Sequence, residues 1–422
     1  MASRWIRSRL NSLLAIVALL LTMAAAHAVA SEITVITFPS NQIDGQWMAE
    51  VVKRYEAKYP DRKVELVVPG NLTDKILSMV AAGTPPEIAY HDVQVARQWA
   101  ADGLLYDLES WISSTPLFND VFPFMWQLAT HDGRRFAVPL NVAATEVNYN
   151  RALFREAGLP YPSPDWTYGD MLDFARRIAK DTSGDGENDV WGVAPPDGVL
   201  WQHVIWSFGG DLADSDYNPQ VLTLASDPAT LEAATYLHSL VHVHQVASPP
   251  WWRPQDPYAQ MRQGILGMLM TNSGGFGILP SNRDELDWEV APVPAGAAGQ
   301  IPYVFTFDYF VFKDAPNVEG ALHFLEYLFS DESMELLVQY TGKMPARSSI
   351  ANTAFMEHYA HLEGLPQFFA SLVNGRGPVH LPTQAWEIVI NAYMDIMNNR
   401  GDVRSILEAA QDRANPLSKF RQ

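Results

Sequence analysis

The feature that most restricts the fold of this chain is an alternation of strand-like and helix-like segments between residues 33 and 103. Short runs of β-branched and aromatic residues are each followed by a longer segment whose apolar residues recur at helical spacing. Such alternation indicates βαβ units, and therefore an α/β fold with a largely parallel sheet. The expected strands are residues 33–38, 64–68 and 87–90, and the expected helices are residues 45–59, 73–83 and 93–101.

The rest of the chain contains the same two kinds of element, without an internal repeat or a flexible linker. Thr167 follows a proline-rich stretch and is expected to cap a helix that runs to Ala179. Strand-like segments return at residues 288–294 and 303–312, and helical patterns then dominate. Because 422 residues exceed the ~100–200 of a single domain, we expect two lobes joined by strands that cross between them.

Composition removes several classes of function. The chain has no cysteine, which excludes thiol nucleophiles, thiolate metal sites, disulfides and a lipid anchor on cysteine. Its 48 acidic and 29 basic side chains give a formal net charge of −19, so no basic surplus is available to neutralise the phosphates of a nucleic acid. The same balance disfavours electrostatic docking on anionic lipid.

The first thirty residues have the pattern of a secretory signal peptide. Three arginines precede an apolar run at residues 13–26, and an Ala-x-Ala pattern follows at residues 26–30. The alternative is a membrane anchor, but this run is shorter than the roughly 20 residues that span a bilayer. We expect cleavage after Ala28 or Ala30 and, without a cysteine to carry a lipid, a freely soluble periplasmic protein.

A series of short motifs gives the chain a family resemblance. Residues 75–88 resemble an alanine-rich helix followed by Gly-Thr-x-Pro-Asp-Val, here with Pro86-Glu87 where Pro-Asp is usual. The order of the motifs resembles the extracellular solute-binding proteins of bacterial ABC importers, specifically the sugar-binding family that includes maltose-binding proteins. The other matching blocks are residues 103–108, 136–139, 148–159, 166–167, 261–268, 321–328 and 342–347.

The resemblance implies two α/β lobes that close on a ligand, joined by three crossing segments near residues 140–144, 305–308 and 345–349. One lobe would comprise residues 32–141 plus 308–348, and the other residues 142–307 plus 349–422. The implied function is capture of a mono- or oligosaccharide and delivery to a membrane permease, by a monomer that needs no cofactor and is not an enzyme.

Candidate site residues follow from the chemistry of a sugar, which needs planar polar side chains for its hydroxyls and aromatic faces for its ring. We sought these groups in loops and at strand ends, where α/β proteins bind ligands. The family places a polar ligand group at Asp44 and often a stacking aromatic at Tyr309. The full set is Asp44, His91, Asp92, Asn141, Trp201, Trp251, Trp252, Asn272, Asp308, Tyr309, Arg376 and Trp386.

Each of these assignments has a structural alternative. Asp44 and Asp92 follow strands and could cap helices instead. The tryptophans could pack in a core, as most tryptophans do, and Arg376 could pair with a surface carboxylate. Asn272 precedes Gly274-Gly275, a pair that would let the backbone approach a ligand closely.

An acidic loop offers a possible calcium site. Asp181, Ser183, Asp185 and Asp189 occupy positions 1, 3, 5 and 9 of a calcium-loop pattern, with glycine at position 6. Position 12 is Gly192 rather than a bidentate glutamate, so closure would need a carboxylate from elsewhere. The alternative is an Asx-rich turn in which these side chains hold the backbone.

Two other functions remain open at this point. A secreted carbohydrate hydrolase would use a pair of carboxylates, and 48 acidic residues leave room for one. A binder of polyol phosphates such as glycerol 3-phosphate, or of peptides, would need convergent cations. Only Arg376 and Arg347 are available near the expected cleft, so a neutral sugar ranks first.

Overall fold

The computed structural model describes residues 31–37, 42–216, 219–248, 256–280, 282–399 and 401–418. The predicted signal peptide lies outside this part of the chain, as do Trp251 and Trp252. Among the described helices, none combines the length and the apolar character needed to cross a bilayer.

Eleven described strands form one large mixed sheet and one hairpin. The order in the large sheet is β2-β1-β3-β10-β6-β8-β7, with β9 and β11 also paired to β6, and β4 pairs with β5. The strands are β1 (Ser31–Ile36), β2 (Arg62–Val67), β3 (Ile88–Asp92), β4 (Thr130–His131), β5 (Arg134–Arg135), β6 (Val138–Asn150), β7 (Trp191–Ala194), β8 (Leu266–Asn272), β9 (Trp288–Ala291), β10 (Val304–Val311) and β11 (Met344–Pro345).

The prediction of an α/β fold is confirmed, but the prediction of a largely parallel sheet is wrong. Strands β1 and β2, β1 and β3, and β7 and β8 pair in parallel. Every described pairing of β6 or β10 is antiparallel. The reason is that these two strands carry the chain between the two halves in opposite directions, so they run antiparallel to each other.

Helices cover both faces of the sheet, and several begin at the polar caps that the sequence indicates. Thr167 accepts the N–H of Asp170 and forms a capping box with it, as predicted for this helix. The α-helices are Gln42–Lys58, Leu72–Ala81, Val93–Ala101, Glu109–Ser114, Pro123–Leu128, Arg151–Glu156, Tyr168–Ile178, Gln202–Phe208, Pro228–His242, Pro257–Arg262, Val318–Leu328, Asp331–Thr341, Ser348–Ile350, Met356–His358, Leu365–Ser371, Thr383–Asn398 and Val403–Ser418.

Strand β6 holds the two halves of the molecule together. Its residues from Val138 to Ala144 pair with β10, and its residues from Thr145 to Asn150 pair with β8 and β9. All thirteen of its residues are buried. The change of partners therefore falls between Ala144 and Thr145, while the exact lobe boundaries stay a prediction.

Candidate functional site

Strand ends from both halves meet where β6 and β10 pass between them. Asp92 at the end of β3 lies opposite Phe307 of β10, which in turn lies opposite Asn141 of β6. Asn272 at the end of β8 lies opposite Thr145 of β6. A strand rises roughly 3.4 Å per residue, so the two meeting points are on the order of 14 Å apart along β6. Ligands of α/β proteins bind outside such carboxyl ends.

A row of aromatic rings follows one face of β10 through this region. The ring of Phe305 lies 5.4 Å from that of Tyr303 and 5.6 Å from that of Phe307. Tyr90 stacks on Phe307 at 5.6 Å with an interplanar angle of 16°. Phe305 and Phe307 are only partly buried, and they pack against two different core clusters. They therefore form an apolar floor between the two halves.

Tyr309 continues this row but does not offer a free ring face, which corrects its predicted role as a stacking platform. Its side chain is 0% exposed, and its hydroxyl oxygen lies 3.4 Å from that of Thr37. Residues two apart on a strand share a face, so Tyr309 lies on the same face of β10 as Phe307. The prediction therefore had the right strand and face, but Tyr309 lies too deep in the core. Phe305 and Phe307 were missed, although their alternation in the sequence was the signal for them.

Two of the predicted tryptophan platforms are core residues. Trp201 is 0% exposed and its ring centroid lies 5.2 Å from that of Tyr393. Trp386 is 7% exposed and belongs to the same core cluster. Both tryptophans therefore pack in a core, which is the alternative considered for them above. Their helices turn these rings toward the core cluster that also contains Tyr393. The predicted roles of Trp251 and Trp252 stay predictions.

Arg376 is brought to the region, but its charge is already paired. Its Nη2 donates to Asp211 Oδ1 at 2.7 Å and to both carboxylate oxygens of Asp216 at 2.8 Å. Its guanidinium carbon lies 4.7 Å from the ring centroid of Trp206. Arg376 is thus paired with carboxylates, as the alternative assignment expected, and does not provide a free cation for a ligand.

His91 and Asp92 lie at the end of β3 as predicted, and Asp92 also caps the following helix. Its Oδ1 accepts the N–H groups of Gln94 and Val95 at 3.1 Å, and its Oδ2 lies 2.9 Å from His91 Nδ1. Burial pushes the pKa of Asp92 upward, but these hydrogen bonds outweigh it and lower the pKa. Asp44 lies in the helix Gln42–Lys58, and its side chain is outside the described part.

Asn141 and Asp308 are buried polar groups in the crossing strands. Asn141 Oδ1 and both Asp308 carboxylate oxygens lack a hydrogen-bond partner among the described residues. Asp308 is 0% exposed, and burial raises its pKa from 3.8 to about 7. Because Asp308 is sealed from solvent, the structure does not place its carboxylate where a ligand would contact it.

A small polar cavity of about 90 Å³ lies beside the ends of β7 and β8. We call it the β8 pocket and define it by its polar lining residues Asp197, Ser248, Tyr258, Thr271 and Asn272. The hydroxyls of Tyr258 and Thr271 are 2.8 Å apart. Of these residues only Asn272 was predicted from the sequence, because it ends an apolar strand and precedes a pair of glycines. The other four carry no such signal in the sequence.

The glycine pair after β8 leaves room for two side chains of the protein itself, and its predicted approach to a ligand stays a prediction. A Cβ atom on Gly275 would lie 2.0 Å from the hydroxyl oxygen of Tyr258, and one on Gly274 would lie 2.8 Å from Asn272 Oδ1. Asn272 Oδ1 also accepts the N–H of Gly274 at 3.0 Å. These glycines therefore let two lining residues of the β8 pocket approach the backbone.

The acidic loop closes on its own backbone. Asp181 accepts the N–H groups of Gly184 and Gly186 at 2.6 and 2.8 Å. Asp185 accepts the N–H of Glu187 at 2.9 Å. Asp189 accepts the N–H groups of Thr182 and Ser183 at 2.8 and 2.7 Å. Within the described ranges no three His, Asp or Glu side chains are grouped to hold a metal ion. These bonds have the form of the predicted alternative, an Asx-rich turn.

Calcium binding by the acidic loop stays a prediction, with a simple test. If the loop binds calcium, CaCl2 added to protein treated with EGTA should raise the melting temperature, since a ligand that binds only the folded state stabilises it. The matched variant Asp185→Asn should abolish that rise. An unchanged melting temperature in the unmodified protein would contradict the prediction.

Comparison with known proteins shows that this chain is similar to binding proteins. A family model described as bacterial extracellular solute-binding protein matches residues 39–335. A Brucella abortus (strain 2308) protein, named as a binding protein, is 25% identical over 407 residues, which cover 94% of this chain and 95% of the relative. An arabinooligosaccharide-binding protein of Halalkalibacterium halodurans is 23% identical over 282 residues, 64% of this chain and 60% of that protein.

Solved structures show the same architecture. The structure of an ABC substrate-binding protein from Listeria monocytogenes in complex with cycloalternan matches with a TM-score of 0.79 at 22% identity, over 93% of this chain and 100% of that chain. The predicted two-lobed α/β fold is thereby confirmed.

Proposed function

Because the chain belongs to the family of bacterial extracellular solute-binding proteins, we propose that it captures a mono- or oligosaccharide between its two lobes. The bound sugar is then delivered to the membrane permease of an ABC importer. The family assignment confirms the resemblance seen in the sequence motifs. The sugar, the permease and the monomeric state are parts of the proposal.

The observation that carries the proposal is the apolar floor formed by Phe305 and Phe307. A sugar ring presents C–H groups that are slightly positive, and an aromatic face is negative, so the two stack. Polar side chains flank the floor at Asp92 on one side and Asn272 on the other. Such a surface, apolar at its centre and polar at its edges, suits a ring that carries hydroxyls at its rim.

The charges near the floor favour a neutral ligand over a polyol phosphate. Arg376 is neutralised by Asp211 and Asp216. Arg97 donates from Nη2 to the backbone carbonyl of Leu128 at 2.6 Å. A phosphate needs convergent cations that are free to pair with it, and both of these arginines are engaged by the protein itself. A binder of glycerol 3-phosphate therefore stays the second candidate.

Ligand capture works through closure of the two lobes. Contacts that reach the ligand from both sides form only in the closed form, so the ligand shifts the population toward closure. A micromolar dissociation constant corresponds to roughly −8 kcal/mol, within reach of a stacked ring and several paired hydroxyls. The permease would recognise the closed form. No bond of the ligand is cleaved in this cycle.

A thermal-shift screen over common mono- and disaccharides tests the proposal. We expect at least one sugar to raise the melting temperature, because it binds only the folded state, and to be recovered intact by chromatography. Cleavage of the sugar would identify a hydrolase. A rise with glycerol 3-phosphate and with none of the sugars would identify the second candidate.

A further inference from the structure

The face of β10 that points away from the floor contains buried polar groups. Neighbouring residues of a strand point to opposite faces, so Phe305 and Phe307 lie on one face, and Thr306 and Asp308 lie on the other. Thr306 and Asp308 are both 0% exposed. Thr306 Oγ1 and both carboxylate oxygens of Asp308 lack a hydrogen-bond partner among the described residues. Burial without a partner disfavours the charged form of a carboxyl group most strongly.

The two predicted lobes each cover part of this second face. A Cβ atom on Gly375, from the second lobe, would lie 2.3 Å from Val304 Cγ2, so the backbone of Gly375 packs on Val304. The ring of Trp99, from the first lobe, has its centroid 5.5 Å from that of Phe310. Asp308 lies between Val304 and Phe310 on the same face of the strand. The cover over Asp308 therefore changes from one lobe to the other.

The two covers meet in a contact between the lobes. Arg97 Nη1 lies 3.2 Å from His380 Nδ1, and Arg97 Nη2 donates to the carbonyl oxygen of Leu128 at 2.6 Å. A Cβ atom on Gly377 would lie 2.3 Å from Leu128 Cδ2, so the backbone of Gly377 touches this side chain. We call these four residues the seam. Arg97 and Leu128 belong to the predicted first lobe, and Gly377 and His380 belong to the second.

The position of the seam decides what closure of the lobes does to Asp308. The floor and the seam lie on opposite faces of the crossing strands, so a rotation that narrows the space over the floor widens the seam. The reverse rotation would press Gly377 into Leu128, and these two residues already touch. This arrangement is therefore the open limit. Closure would separate Arg97 from His380 and admit water to Asp308.

The charges around Asp308 set its protonation in the sealed state. Burial raises its pKa from 3.8 to about 7. His91 lies opposite Asp308 in the pairing of β3 with β10, and it contacts Thr73 and Asp92 of its own lobe at 3.1 and 2.9 Å. Separation of the seam leaves those contacts in place. The titratable and charged groups around Asp308 are thus His91 and Asp92 of β3, Arg97 of the following helix, and His380 across the seam.

We propose that ligand capture is coupled to the release of one proton from Asp308, so that the protein binds its sugar more tightly as the pH rises from 6 to 8. This inference rests on the proposed function. In the open form the sealed carboxyl group keeps its proton. When the seam separates, the proton passes to water and the carboxylate that remains is hydrated. Because the coupling is reciprocal, conditions that favour ionisation of Asp308 favour closure on the ligand.

The size of the effect follows from proton linkage. The sealed carboxyl group loses its proton near pH 7, whereas a hydrated aspartate loses it near pH 3.9. Closure should therefore release about 0.9 proton per ligand at pH 6 and about 0.1 at pH 8. The affinity for the sugar should rise about tenfold between these two pH values and level off above them.

Isothermal titration calorimetry of the full chain tests the proposal, with the sugar that the thermal-shift screen identifies. Each titration is run at pH 6 and pH 8 in two buffers of different ionisation enthalpy, because their difference in apparent enthalpy counts the protons released. Asp308→Asn should release no proton from this position. Its affinity should stay near the low value of the unmodified protein at pH 6, since asparagine remains neutral. Asp173→Asn changes an exposed carboxylate and should behave like the unmodified protein.

His380→Gln separates the carboxyl group from the imidazole at the seam. An imidazole ordinarily titrates in the same pH range. Protonated His380 would repel Arg97 and favour separation of the seam at low pH, which is the opposite sign to the effect of Asp308. We therefore expect the proton release and the rise in affinity with pH to persist in His380→Gln. Their loss in this variant would overturn the assignment to Asp308.

The outcomes distinguish the inference from the function beneath it. Sugar binding without proton release at pH 6, or an unchanged release in folded Asp308→Asn, would overturn the inference and leave sugar binding in place. If no sugar binds, the proposed function fails and the inference with it. The comparison of buffers uses the unmodified protein, so it decides the matter even if a variant does not fold. Circular dichroism establishes which variants are folded.

Discussion

Asp308→Asn should raise the free energy of unfolding by up to about 4 kcal/mol at pH 8 and leave it nearly unchanged at pH 4. The Asp308 carboxyl group is fully buried, and its oxygens lack hydrogen-bond partners among the described residues. Burial raises its pKa from 3.8 to about 7. Asparagine has almost the same shape and carries no charge at any of these pH values.

The sign of the effect follows from where the proton is bound. The unfolded chain releases the proton of Asp308 near pH 3.8, but the folded protein keeps it until about pH 7. Between these values the folded state binds more protons, so stability falls by about 1.4 kcal/mol per pH unit as the pH rises. Above pH 7 both states are ionised and the full cost persists, whereas below pH 3.8 it vanishes.

Urea unfolding at pH 4, 6 and 8 measures this effect. Asp173→Asn is the matched control, because its side chain is 73% exposed and should show little change at any pH. The difference between the unmodified protein and Asp308→Asn should grow from pH 4 to pH 8. A difference of the same size at all three pH values would show that the gain comes from packing and not from the charge.

Phe307→Ala should weaken sugar binding by about tenfold to a hundredfold, which corresponds to about 1.4–2.8 kcal/mol. The substitution removes a partly exposed ring at the centre of the proposed floor, stacked on Tyr90. The ligand would lose both the apolar area and the stacking contact that this ring offers. Calorimetry with the sugar identified by the thermal-shift screen measures the loss.

Two controls separate binding from stability. Phe369→Ala removes another partly buried ring, which packs on Phe355 with centroids 5.9 Å apart, and should leave the affinity unchanged. Tyr309→Ala removes a ring that is 0% exposed and should cost about 3–5 kcal/mol of stability. An unaltered affinity in folded Phe307→Ala would refute the proposed floor.

The course of the chain was readable from the sequence because local patterns encode elements. Short runs of β-branched, aromatic and other apolar residues predicted β1, β3 and β10, and Thr167 marked the start of its helix as a cap should. Strand direction was not readable, because the period of a strand is the same in parallel and antiparallel pairs. The largely parallel sheet was therefore expected, although β6 and β10 run against their neighbours.

The candidate site was only partly predictable, for a related reason. The strand ends at Asp92 and Asn272 were found because they follow apolar runs. Whether an aromatic ring on a known strand faces solvent or a core depends on what packs against it from distant parts of the chain. For this reason the buried Tyr309 was predicted as the stacking ring in place of the partly exposed Phe307. The buried Trp201 was likewise predicted as a ligand platform.

The sequence by itself determined the family and the α/β fold class, since ordered motifs and apolar periodicity are local properties of the chain. The tertiary structure decided which charges and rings remain available. It paired Arg376 with Asp211 and Asp216 and buried the ring of Tyr309. Pairing and burial depend on residues more than a hundred positions apart in the sequence, and only the folded chain brings those residues into contact.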